Sequence, residues 1–491
     1  MSVPGTETRR RSLCLLLALA LLAALPAPAG ADATTAHAIL ENLPLSVDGG
    51  EAVPVRALHY GYANNRYVSL RDFAAALADT PRRFGLSVGD TQIVISAGAA
   101  YTPVGGENQP FPERNDRTGA PYVYFTEPLA PYYLELDGRQ LRYQSFLGTN
   151  AASKPDCFMS LTDLAMQLDL DLTVSAAGIA LNTAGRYTVD PEALREEGFY
   201  YEVHSALVGD ADTGEIYTAW EPELPVPIAS TTKLMSFLVV MDAVTDGRIT
   251  LGDTVTITEE AERLSQTQDG AIPLQAGEKT NVTELLCGML LPSSNECALA
   301  LAIHTSGSEA AFVEQMNRKA RALGLSDGAV FYNCHGLPVY TDNLPATKIQ
   351  NRMSAVDMFA LVRHILRTYP DITRITSLKS IVLETLGVTV SNSNPLVYNL
   401  PGVVGLKTGT TNMSGSCLVS AAESADADGQ THTLVAIEFG AEDSSIRTTL
   451  SEELLRYGIQ RLRGESGGAA PGTPALPADA EELIRAVLKS F

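Results

Sequence analysis

Cysteine is scarce in this chain, with six in 491 residues: Cys14, Cys157, Cys287, Cys297, Cys334 and Cys417. No pair has Cys-x-x-Cys spacing and no histidine cluster joins them. That excludes a disulfide framework and a structural zinc site, so no metal and no cofactor is expected. The thiols read instead as small buried apolar side chains. Positive charge is also short: 35 Lys and Arg stand against 57 Asp and Glu, a formal net charge of −22. A surface so acidic excludes nucleic acid as a partner and simple electrostatic adhesion to anionic lipid. Long apolar runs are missing except from Leu13 to Leu25, which is shorter than the roughly 20 residues a membrane span needs. That run follows Arg9-Arg10-Arg11 and precedes Pro26, Pro28 and the small residues Ala29-Gly30-Ala31. The order is that of a secretory signal peptide, so residues 1–31 are expected to direct export to the cell envelope.

What is present is a folded chain of two or three domains, 45% apolar and 19% charged. Between Leu43 and Asn182 it repeats itself. Leu45-Ser46-Val47-Asp48-Gly49 is answered by Leu134-Glu135-Leu136-Asp137-Gly138, and Tyr67-Val68-Ser69-Leu70-Arg71-Asp72-Phe73-Ala74 by Phe158-Met159-Ser160-Leu161-Thr162-Asp163-Leu164-Ala165. Each copy reads as an apolar strand, a serine N-cap and a short helix, closed by an alternating run. Residues 32–185 are therefore expected to form a duplicated α+β module. The pattern resembles the copper amine oxidase N-terminal-like domain. No copper is expected here, since no metal constellation accompanies it, and the module is expected to act as a spacer or to touch the cell wall.

Residues 186–464 carry the chemistry. Ser230-Thr231-Thr232-Lys233 sets a hydroxyl and an amine at i and i+3, on one face of a helix whose buried stripe is Leu234, Phe237, Leu238, Met241 and Val244. Burial and a second nearby cation would hold such a lysine neutral, able to take the serine's proton. An isolated match is as well explained by an N-cap serine beside a solvated lysine. Two more elements follow in order. Pro292-Ser293-Ser294-Asn295 interrupts the apolar stretch Leu285 to Ile303, where a plain core helix would not tolerate it. Lys407-Thr408-Gly409-Thr410 then ends an apolar strand. The three together, in this order, are a strong signal.

With these motifs, and with Asn333-Cys334-His335-Gly336-Leu337, the chain from about Tyr201 to Leu462 resembles the low-molecular-weight penicillin-binding proteins, serine-type D-alanyl-D-alanine carboxypeptidases. The resemblance implies an α+β, β-lactamase/transpeptidase-like fold: an antiparallel sheet backed by helices, plus an all-helical subdomain. It implies Ser230 as the acylated nucleophile, Lys233 as its base and Ser293 as the proton relay to the leaving D-alanine. Asn295, Lys407, Thr408, Gly409 and Thr410 would bind substrate, with the N–H groups of Ser230 and Thr410 as the oxyanion hole. The implied partners are peptidoglycan stem peptides ending in D-Ala-D-Ala, and β-lactams as covalent inhibitors. Where the family often carries a basic residue before the last motif, this chain has Asn392-Ser393-Asn394. Residues 465–491 read as a linker and a short helix presenting Leu483, Ile484, Val487, Leu488 and Phe491 on one face, which the resemblance makes a membrane contact. Two rival readings remain. A class A β-lactamase would need a Glu-x-x-Leu-Asn stretch, which is absent between Asn295 and Lys407. A non-enzymatic wall-binding protein would not need a nucleophile with its base.

Overall fold

The computed structural model describes residues 39–59, 66–89, 92–111, 133–150, 152–190, 194, 203–267, 271–341 and 346–464. The expected signal peptide and C-terminal helix lie outside the described residues.

The duplication builds two interlocked sheets. The first copy runs β1 (Ile39–Val47), β2 (Val53–His59), β3 (Arg66–Ser69), α1 (Leu70–Ala76), β4 (Phe84–Val88) and β5 (Gln92–Ala97). The second runs β6 (Tyr133–Leu136), β7 (Arg139–Leu141), β8 (Ser145–Thr149), β9 (Pro155–Ser160), α2 (Leu161–Leu168), β10 (Asp171–Ser175) and β11 (Gly178–Asn182). Ser69 and Ser160 cap their helices, each side chain accepting the N–H three residues on. A seven-stranded sheet has the order β10-β11-β1-β2-β3-β9-β8, and a four-stranded sheet the order β4-β5-β6-β7. The first strand of each copy thus lies parallel to the last strand of the other, β1 against β11 and β6 against β5. The equivalent strands β3 and β9 pair with each other. Between the sheets and helices sits a core that includes Leu70, Phe73, Leu161 and Leu164. A charged cluster is buried there: Arg56, 1% exposed, pairs with Asp72 at 2.7 Å and Asp156 at 3.0 Å. An uncompensated guanidinium at that depth would be costly, which is why two carboxylates attend it.

The rest of the chain is organised on a five-stranded antiparallel sheet, β13-β12-β24-β23-β22. Its members are β12 (Ser205–Asp210), β13 (Ile216–Trp220), β22 (Val403–Thr411), β23 (Gly415–Ala425) and β24 (Thr431–Ala441). Both faces are covered, so β24 is apolar at successive positions rather than alternately. Leu434 and Ala436 meet Leu450, Leu454 and Ile459 of the long final helix, while Val435 and Ile437 face the opposite core. That second core is helical: α3 (Lys233–Thr245), α4 (Glu259–Ser265), α5 (Val282–Leu290), α6 (Asn295–Ser306), α7 (Glu309–Ala322) and α8 (Ala355–Thr368). Short helices α9 (Ile372–Thr376) and α10 (Leu396–Asn399) precede β22, and α11 (Ser444–Leu462) closes the fold. Two-stranded ribbons join β14 (Val226–Pro227) to β19 (Arg352–Met353), β15 (Thr254–Thr256) to β16 (Lys279–Asn281), β17 (Val339–Tyr340) to β18 (Lys348–Ile349), and β20 (Ser380–Leu383) to β21 (Val388–Ser391).

The α+β class and the sheet-plus-helices architecture agree with the expectation. The single buried stripe expected of α3 does not hold. Every residue from Lys233 to Val240 is buried. Helices α5 to α8 pack against α3, and over its first two turns polar Lys233 and Ser236 are buried along with the apolar side chains.

Candidate functional site

Ser230 sits in one 3-10 turn, Ala229–Thr232, that runs straight into α3. The turn is gripped from both sides. Gly336 approaches so closely that a Cβ there would lie 2.0 Å from the Ala229 carbonyl oxygen. On the β22 side a Cβ at Gly409 would lie 2.8 Å from the Ser230 nitrogen and 3.0 Å from Ala229 Cβ. Only glycine fits at either place, so the reason for Gly409 is the closeness of the serine turn as well as room for a ligand on the strand. Ala229 itself is held at φ +44°, in the left-handed region. Asn351 braces the turn from behind, its carbonyl accepting from Ile228 N at 3.1 Å and its Nδ2 donating to Thr232 Oγ1 at 3.1 Å.

Lys233 is fully buried and its amine is triply held. Nζ donates to Ser230 Oγ at 2.8 Å, Asn295 Oδ1 at 2.6 Å and the His335 carbonyl at 2.9 Å. Burial drives its pKa down to about 7, opposed only in part by the charge of Glu296. Glu296 is itself buried, and its Oε1 accepts the Ile272 N–H at 2.6 Å. His335 is pushed down to about 3 by burial and by Lys233, so its neutral ring accepts the Leu337 N–H at Nδ1, 3.2 Å. Lys407, 1% exposed, lies well below the ordinary lysine value because of burial and then the repulsion of Lys233 and Arg447. Its amine donates to the Thr408 carbonyl at 2.9 Å.

Two further segments close the site. Ser293, half-buried at φ +74°, lies in the break between α5 and α6. Ser294 caps α6 there, accepting from Cys297 N at 3.0 Å, which orients Asn295 inward at the first helical position. The stretch 392–394 is a junction. Ser393 N donates to the Leu291 carbonyl at 2.9 Å, its Oγ meets Thr408 Oγ1 at 2.6 Å, and Asn394 Nδ2 donates to the Gly405 carbonyl at 3.0 Å. Of the expected residues, the structure joins Ser230, Lys233 and Asn295 by hydrogen bonds and sets Gly409 against the Ser230 backbone. Thr408 is tied to Ser393, and Thr410 is exposed on the outer end of β22. Among the described residues Ser293 makes no side-chain hydrogen bond to the others.

Residues 194–438 match the family described as D-alanyl-D-alanine carboxypeptidase. The chain belongs to that family. It is 32% identical over 274 residues to D-alanyl-D-alanine carboxypeptidase DacF of Bacillus subtilis (strain 168), covering 55% of this chain and 65% of that one. It is 33% identical over 267 residues to D-alanyl-D-alanine carboxypeptidase DacD of Escherichia coli (strain K12), covering 53% and 64%. The chain thus spans just under two thirds of the length of those two relatives. Among solved structures, penicillin binding protein 6B from Escherichia coli is 31% identical, with 53% of this chain and 78% of that chain covered and a TM-score of 0.46.

One residue of this family member escaped the reading of its sequence. Arg447, in the first turn of α11, reaches the end of β22, where Nη1 donates to Thr410 Oγ1 at 3.3 Å. It is 8% exposed, and its Nε is a buried donor without a hydrogen-bond partner among the described residues. A cation in a helix's first turn opposes the helix dipole, and the charges of Glu438 and Asp443 offset part of that cost. The five cysteines described are all free and buried. Among the described residues one group could hold a metal ion, Asp210, Asp212 and His432. It lies where the β12–β13 turn meets the start of β24 and shares no residue with the site.

Proposed function

We propose that the protein is a serine-type D-alanyl-D-alanine carboxypeptidase of the cell envelope. It removes the terminal D-alanine from peptidoglycan stem peptides ending in D-Ala-D-Ala, contributes to wall synthesis and remodelling, and is acylated by β-lactams. The observation that carries this reading is the Lys233 amine, buried and 2.8 Å from Ser230 Oγ. A buried lysine with a pKa near neutrality is a general base for a hydroxyl nucleophile. Neutral Lys233 takes the Ser230 proton as Oγ attacks the penultimate D-alanine carbonyl. The tetrahedral oxyanion is received by the N–H groups of Ser230 and Thr410. Ser293 passes a proton to the departing D-alanine, and Asn295 holds Lys233 and the substrate's peptide. Lys407, Thr408 and Arg447 receive the terminal carboxylate, Arg447 supplying the cation that residues 392–394 lack. Water then frees the acyl group. Export by residues 1–31, and membrane contact through residues 465–491, belong to the same proposal. No described helix is long and apolar enough to cross a membrane.

Intact-mass spectrometry of the signal-free protein after adding benzylpenicillin tests the reading. A persistent adduct absent from Ser230→Ala is expected. Drug consumed with only a fleeting adduct would mean a β-lactamase, and neither adduct nor consumption would leave a binding protein.

The same adduct, timed across pH, reports the base. Lys233 must be neutral to act, so acylation should fade as pH falls through about 7 and level off above it. A rate unchanged between about pH 5.5 and 8.5 would remove Lys233 from that role.

A further inference from the structure

The two repeats of the N-terminal module differ at one informative place. In the first, Asp72 is satisfied by Arg56 on the neighbouring strand. In the second, strand register puts Gln144 where Arg56 stands, since Ala57 pairs with Val68 as Ser145 pairs with Met159. The equivalent carboxyl, Asp163, has lost its arginine and accepts a hydrogen bond from Thr449 of α11 at 2.7 Å. Around it the module grips the same helix. Gln167 Nε2 donates to Glu452 Oε1 at 2.9 Å, Tyr143 OH donates to Glu452, and Tyr67 OH meets Ser445 Oγ at 3.0 Å. Ser445 and Thr449 flank Arg447, the residue that reaches Thr410.

A second grip falls on the other side of β22. Arg142 exchanges hydrogen bonds with Asn399, its N donating to Oδ1 at 2.6 Å and its carbonyl accepting from Nδ2 at 3.1 Å. Its guanidinium lies 3.6 Å from the Tyr398 ring centroid and donates to the Asn392 carbonyl at 3.0 Å. Arg139 donates to the Asn399 carbonyl beside it. Asn392 begins the junction whose Ser393 holds Thr408. Both segments that fix the polar end of β22 are therefore held by the module.

We propose that the duplicated module is a positioning element for the carboxylate-binding end of the site. Arg142 fixes residues 392–394, and so Ser393 and Thr408. Asp163 with its neighbours fixes the first turns of α11, and so Arg447 and Thr410. This goes beyond a spacer role, and it rests on the carboxypeptidase reading above. Arg142 and Asp163 touch no substrate and act through the residues they hold.

The test uses the whole signal-free protein and two donors, an N-acyl-D-alanyl-thioglycolate with a free carboxylate and its methyl ester. Arg142→Ala should lower kcat/KM for the free acid about tenfold and for the ester less than about twofold, mostly through KM. Arg142→Lys, which keeps the charge and loses the planar fork, should fall between. Added to Arg447→Ala, Arg142→Ala should cost little more, because both act on one carboxylate contact. Equal losses on both donors, or full additivity with Arg447→Ala, would overturn the proposal. If Arg142→Ala melts below the assay temperature, Thr449→Val removes only the hydroxyl bonded to Asp163 and is judged by the same ratio. A wild type that takes no benzylpenicillin adduct removes the carboxypeptidase reading and this inference together. An acylated wild type with unselective variants removes this inference alone.

Discussion

Lys233→Ala is expected to slow acylation by benzylpenicillin about 10,000-fold, at the upper end of what a positioned base contributes. The amine is the only titratable group bonded to Ser230 Oγ among the described residues, so no neighbour stands ready to replace it. Lys233→Arg should fail nearly as badly, since a guanidinium stays charged and cannot accept the proton. Time-resolved intact-mass measurement checks both. Raising the pH should not rescue either variant, whereas it raises the wild-type rate through about 7. An Ala variant within tenfold of wild type would mean that another base serves Ser230.

The second large effect concerns the two glycines that clamp the nucleophile turn. Gly336→Ala puts a methyl 2.0 Å from a backbone oxygen, at a φ of +93° that L residues rarely adopt. Nothing flexible stands in the way that could move aside. Destabilisation of about 3 kcal/mol, the upper range for overpacking, should appear in a denaturant titration. Gly409→Ala is different in kind. Its methyl presses on the Ser230 nitrogen at 2.8 Å from a strand that has φ in the ordinary range. The protein should fold, but with the nucleophile and its oxyanion donor shifted, and acylation should drop about 100-fold. A Gly409→Ala variant that acylates at the wild-type rate would show that the turn adjusts without cost.

The parts of the site that could be read from the sequence are those whose geometry is local. Ser230 and Lys233 meet because a helical turn brings i and i+3 together, and Gly409 is explained once a strand is known to pass a backbone. Asn295 is legible because proline and serines break an apolar stretch beside it. Arg447 is not, because a lone arginine on a helix carries no local signature. It reaches Thr410 only through the order of strands in the five-stranded sheet. The departure at 392–394 is visible in the sequence, but its remedy is not, since Arg142 approaches from some 250 residues earlier in the chain. The α3 reading fails for a related reason. Periodicity finds a buried stripe when one face is wet, and it has nothing to count when all faces are packed. In the module, matching segments reveal two copies, but pairing across them depends on register and is silent in composition.

The crossing of strands between the copies has a consequence for how such a chain can change over generations. Leu45 waits for Ile179 as its parallel neighbour, and Gln92 for Tyr133. Deleting either copy would leave the survivor with three strands each newly open on one side, and bare strand edges recruit strands from other molecules. Neither copy is a spare. A lineage carrying this module can lose the halves only as a pair.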